Sequence, residues 1–108
     1  MHRIPIVLLP LVALLVAAAK PDGSLIAHNG NGHGAPACTT CHGQHFEGTP
    51  TIHAPALAGL SAAMILARLA HYAGPTGHNA MMRQVATALS PAERQKVASY
   101  LAALPRPQ

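Results

Sequence analysis

The sequence predicts an all-α domain of about four short helices. No segment alternates polar and apolar residues with period two over any length, so no strand is expected. Three segments instead repeat apolar residues at three- and four-residue spacing, two of them behind a serine placed to cap a helix. Glycine and proline fill the stretches between them.

The chain opens on a segment set apart from that domain. "MHR" is a short basic start, "IPIVLLPLVALLV" is an apolar run of 13 residues, and Ala17 to Ala19 supply small residues for a cleavage site. This is the pattern of a secretory signal peptide over residues 1–19, with the domain over residues 20–108. Extended to Ala19 the apolar run reaches only 16 residues, short for a spanning helix, and Pro5 and Pro10 weaken it further. Retention of the segment as a membrane tether is the alternative. Export points to the periplasm.

Asp22 can cap a first short helix that stops at Gly30. "NGNGHGAPA" then reads as a glycine-rich loop, and residues 43–59 carry Gly48, Pro50, Pro55 and Gly59 with no sustained period. Ser61 caps "AAMILARLAHYA", whose apolar stripe is Ile65, Leu66, Leu69 and Tyr72 or Ala73; Leu60 and Ile65 stand at the positions of a hydrophobic staple. Gly74-Pro75 ends this helix. "AMMRQVATAL" places Met82, Val85, Ala86 and Leu89 on one face. The last helix has Ser90 at its N-cap, Pro91 in its first turn and Glu93 completing a capping box, with Val97, Tyr100, Leu101 and Leu104 as its stripe.

Composition narrows the function. Residues 20–108 hold six Lys and Arg against three Asp and Glu, with no basic cluster and few aromatic side chains to stack a base. Nucleic-acid binding is therefore not expected. Much of the apolar content is alanine, which buries little area, so a domain this small needs a staple or a large bound group to complete its core.

The only two cysteines, Cys38 and Cys41, lie in "PACTTCHGQH". A thioredoxin-type dithiol would open a helix behind a strand, and no strand is predicted. A zinc site would need a second ligand pair, which the sequence lacks. A disulfide across two residues closes a loop too small to staple much. The fourth interpretation, C-x-x-C-H as covalent attachment of haem c, explains the spacing: two thiols meet the two vinyl groups, and His42 is carried beneath the iron. It also supplies the large apolar body that the core lacks.

With "CTTCH" in hand, "APALAGL" at Ala54 to Leu60 and "NAMMRQVATALSPAERQKVASYLAAL" near the end extend the pattern. The chain from about Asp22 to Leu104 resembles a small bacterial class I cytochrome c, whose domain also occurs doubled in dihaem cytochromes. The resemblance implies that Cys38 and Cys41 form the haem thioethers and that His42 is the proximal iron ligand. It implies that the Pro55 carbonyl accepts the Nδ1–H of that histidine, fixing its tautomer. It places Met82 at the distal position, and Tyr100 where the last helix crosses the first near Gly23 and Ile26. No propionate anchor is matched; Arg68 and Arg83 are the available cations.

By periodicity alone Met82 is a core residue of its stripe; the family spacing makes it a ligand. Met81, about 100° away on a helix, is the second choice. Met64 lies in another helix and reads as core. His78 is the candidate for a bis-histidine iron, and the remaining histidines read as surface residues. The function implied is an electron carrier with one covalent haem c and no catalytic residues. Its partners would be redox proteins: a dehydrogenase, a quinol-oxidising complex or a terminal oxidase. The alternative is a haem enzyme or gas sensor of peroxidase-like type with an open distal site, where His78 would act as acid and base.

Overall fold

The computed structural model describes residues 3–6 and 22–108; apart from 3–6, which are exposed and irregular, the leader read at residues 1–19 lies outside the described residues. Among the described residues there are five α-helices and no strand: α1 Gly23–Asn29, α2 Thr39–His42, α3 Ala62–Ala73, α4 Ala80–Ala88 and α5 Pro91–Ala102. A single 3₁₀ turn, Pro50–Ile52, and one isolated bridge between Thr49 and Ala54 shape the loop between α2 and α3. No helix among the described residues is long and apolar enough to cross a membrane.

The expected capping chemistry is present. Asp22 accepts from the Leu25 amide at 2.9 Å, and Ser61 from Met64 at 3.1 Å. At α5 both halves of the capping box form: Ser90 Oγ accepts from the Glu93 amide and Glu93 Oε1 from the Ser90 amide. Each such cap is worth about 0.5–2 kcal/mol. The α4 cap was not foreseen. Asn79 stands just before α4, and its side chain accepts from the Met82 amide at 2.9 Å.

The core is made where the predicted stripes converge. Ile65 and Leu69 of α3, Val85 and Leu89 on α4 and behind it, and Val97 and Leu101 of α5 are buried together. Full burial of such a side chain contributes about 1.5–3 kcal/mol. Helix α1 adds Ile26 by crossing α5 closely: a Cβ at Gly23 would run into the Lys96 carbonyl and come within 2.9 Å of Tyr100 Cβ. The crossing expected at Tyr100 is thus where the sequence has glycine.

Met64 departs from the expectation. It is 43% exposed rather than core, because α3 buries the stripe one residue round, through Ile65 and Leu69. Phe46 departs in the opposite sense. It lies in the aperiodic stretch after the cysteines, yet it is fully buried at φ 55°, with Tyr100 and His28 packed edge-on against its ring.

Candidate functional site: a cleft between the cysteine turn and the fourth helix

The four residues after Cys38, Thr39–His42, form one turn of helix, α2, between two stretches in which no helix is expected. The His42 amide donates to the Cys38 carbonyl at 3.0 Å, which closes the turn. Residues three apart share a helix face, so Cys38 and Cys41 come to the same side, and the next residue, His42, turns inward and is buried. Both thiols are free rather than joined in a disulfide. Burial pushes the Cys38 thiol up to about 11, which keeps it protonated in the absence of a bound group.

The loop that follows is built to return to His42. Gly43 turns the chain at φ 92°, in space that a side chain would contest with the Glu47 carboxylate. The Gly48 amide donates to the His42 carbonyl at 2.8 Å. The Thr49–Ala54 bridge then folds the chain over, and His53 reverses it at φ 57°. The result is that the Pro55 carbonyl accepts from Nδ1 of His42 at 2.8 Å, leaving Nε2 without a protein partner among the described residues. Glu47 stiffens this turn: its own amide and that of His45 hold its carboxyl below the usual carboxylate range.

Opposite His42 stands the first turn of α4. Met82 is half-buried and Met81 is 52% exposed; both border the cleft together with His42, Cys41 and Leu57. The cleft consists of two adjoining cavities of about 130 and 280 Å³ that share these five residues. The first is apolar, walled by Ile65, Leu69, Val85 and Leu101 beside Cys38; the second carries Ile52, His53, Arg68, Tyr72 and Asn79. His78 is exposed and borders neither cavity. Among the described residues no three His, Cys, Asp or Glu side chains gather at a metal-binding distance.

These residues fit a haem attached through its vinyl edge. Two thiols share one face at the rim, one imidazole nitrogen is held by a carbonyl while the other is unpartnered, and a thioether lies across an apolar slot. Loaded with such a group, the apolar half of the cleft would shield it from water, with one edge near the cysteines at the surface. Of the small residues around that edge, Gly34 and Thr40 are exposed, Ala37 and Thr39 are half-buried, and Ala35 is buried.

One residue that sequence reasoning passed over fixes the loop leading to the cysteines. Asn31 is buried; its amide donates to the Ala88 carbonyl at 2.8 Å and to Glu93 at 3.3 Å, and its Oδ1 accepts from the His33 and Ala35 amides. It joins the cysteine loop to the corner between α4 and α5. The only sequence signal was an asparagine inside a glycine-rich run.

Comparison with known proteins agrees with this construction. The chain is 35% identical over 95 residues to the thiosulfate dehydrogenase electron acceptor of Stutzerimonas stutzeri, covering 87% of this chain and 44% of that protein. Its fold superposes on cytochrome c4 of Acidithiobacillus ferrooxidans with TM-score 0.70 and 32% identity, over 81% of this chain and 50% of that one. A thiosulfate dehydrogenase (TsdBA) from Marichromatium purpuratum matches at TM-score 0.74 and 27% identity, over 78% of this chain and 18% of that one. The chain spans less than half the length of the curated relatives it matches. The family model for cytochrome c matches residues 27–105. Motif, fold and relatives converge, and the chain belongs to the cytochrome c family, with Cys38, Cys41 and His42 as its site for one covalently bound haem c.

Proposed function

We propose that the protein is a periplasmic electron carrier whose iron is held by His42 and Met82, with Cys38 and Cys41 as the thioether residues. The bound haem supplies a one-electron couple. The chain's own residues do the rest: His42 donates a nitrogen lone pair, Pro55 orients it, and Met82 fills the remaining position so that no substrate can enter. Thioether ligation favours the reduced iron and a positive potential. One observation carries this assignment. The Nδ1–H of His42 is engaged by Pro55 while Met82, half-buried, borders the same cleft from α4.

Partners are then redox proteins that meet the exposed edge briefly, through a small interface. A dehydrogenase donor is favoured by the relative named as an electron acceptor of thiosulfate dehydrogenase. A quinol-oxidising complex or a terminal oxidase would complete the chain on the other side.

The test is haem-stained electrophoresis with an intact mass of the exported protein. One covalent haem and a start at Lys20 are expected. Cys38→Ala with Cys41→Ala should abolish the haem that survives acid-acetone extraction and leave a largely unfolded chain. A colourless double variant that folds well would overturn the assignment. Ready CO binding by the reduced wild-type protein would instead favour an open distal site.

A further inference from the structure

The first turn of α4 carries Met82, yet the core does not hold it. Ala80 and Met81 are exposed, and Met82 and Arg83 are half-buried; full burial begins behind them, at Val85 and Ala86. The loop before the turn, residues 74–79, exposes Pro75, Thr76, His78 and Asn79. The cap that Asn79 gives to the Met82 amide is local and moves with the turn. A thioether makes weak hydrogen bonds at best, so the Met82 side chain does not fix its own position.

Among the described residues, the hydrogen bonds that join this turn to α3 come from Arg83. Its Nη2 donates to the Gly74 carbonyl at 3.0 Å and its Nη1 to the Ala73 carbonyl at 3.4 Å, where α3 ends. The last carbonyls of a helix lack partners within it and carry the negative end of its dipole, so a cation there makes charge-assisted bonds. The last turn of α3 offers His71 as its own basic residue, and that side chain is exposed. Arg83 brings a permanent charge from the next helix. The Gly74 carbonyl also accepts from the Gly77 amide at 3.2 Å. Gly77 is buried so closely against α3 that a Cβ would lie 2.6 Å from the Tyr72 carbonyl oxygen. One helix end thus gathers both the loop and the turn that bears Met82. Arg83 itself borders neither half of the cleft.

We infer that Arg83 is a positioning residue: by strapping the first turn of α4 to the end of α3, it sets how firmly Met82 holds the iron. This rests on the His42 and Met82 ligation proposed above. Thioether sulfur favours reduced iron, so the strap matters most after the electron has left. With Met82 kept in place in both oxidation states, no exchange of ligand accompanies the transfer. Without the strap the turn opens more often, and a ligand from solution can take the sixth position. The apparent affinity of that ligand rises in proportion to the open fraction.

The test is titration of the oxidised, haem-loaded protein with imidazole, read by loss of the sulfur-to-iron band. Arg83→Gln should keep the covalent haem and, without imidazole, the band; its apparent affinity for imidazole should rise about five- to thirtyfold. Arg83→Lys, which retains one donor, should rise about two- to fivefold, and it carries the test should Arg83→Gln fail to fold. Arg94→Gln is the control for a general loss of stability, because Arg94 donates twice to the Ala86 carbonyl, at 3.1 and 2.6 Å. It should change the affinity less than about twofold. Wild-type affinity in the Arg83 variants, or an equal rise in Arg94→Gln, would overturn the inference while leaving the ligation intact. A wild-type protein that never shows the band would overturn the Met82 ligation and the inference together.

Discussion

Nδ1 of His42 donates to the Pro55 carbonyl at 2.8 Å across a loop that has no room for a side chain at Gly48. A Cβ there would come within 2.8 Å of the Ala56 amide nitrogen and 3.1 Å of the Pro55 carbonyl carbon, at φ 88°. Gly48→Ala should therefore push Pro55 away from His42 and cost about 1–3 kcal/mol of stability. An imidazole without that acceptor is a weaker donor, so the potential should rise. Potentiometry checks this; a destabilised variant with unchanged potential would show that Pro55 positions His42 without tuning it.

Met82→Ala should empty the sixth iron position. The long-wavelength sulfur-to-iron band should vanish, the potential should fall and CO should bind, while the haem stays attached through its thioethers. Met81→Ala should leave the optical spectrum nearly unchanged, because Met81 is half-exposed at the cleft edge. Loss of the band in Met81→Ala alone would exchange the two assignments.

Asn31→Ala removes two donations and two acceptances from a buried joint. We expect a loss of about 1–3 kcal/mol, read from chemical denaturation of the loaded protein. A variant as stable as the wild type would mean that water replaces the amide there.

Acid should weaken the fold through Glu93 and Glu47. The Ser90 amide, and after it Asn31 and the Ser90 side chain, hold Glu93 below the usual carboxylate range. Carboxyls whose folded values are depressed stabilise the fold above the unfolded value, about 4.3, and lose that contribution as pH falls through the folded one. Both groups face solvent, so the effect should be small. Denaturation midpoints should decline from about pH 5 downward. Glu93→Gln, which can still cap α5, should flatten that decline; an equally steep one would remove Glu93 from the account.

The parts of the fold that depend on local pattern were legible in the sequence. Ser61, Ser90 and Asp22 cap helices because their side chains reach an amide three residues on, a relation written in the chain itself. The stripes of α3, α4 and α5 are periodic and indeed face the core. Helix α2 escaped notice because one turn is too short to show a period. Met64 was misjudged because a stripe predicts which face is buried but not how wide it is. The positions of Phe46 and Asn31 depend on partners more than fifty residues away, and no local rule reports them.

The crossing at Gly23 has a consequence for how the domain opens. Chain ends usually fray first. Here α1 and α5 close the longest loop in the domain, and the haem-bearing turn lies inside it. Separating the two helices would expose Ile26 and Leu101 and release the walls of the cleft at once. The terminal helices should therefore belong to the same cooperative unit as the cofactor, with their slowest amide protons exchanging only through global unfolding. Gly23→Ala, by prising that crossing apart, should turn the ends into a separate, earlier-opening unit visible in hydrogen exchange.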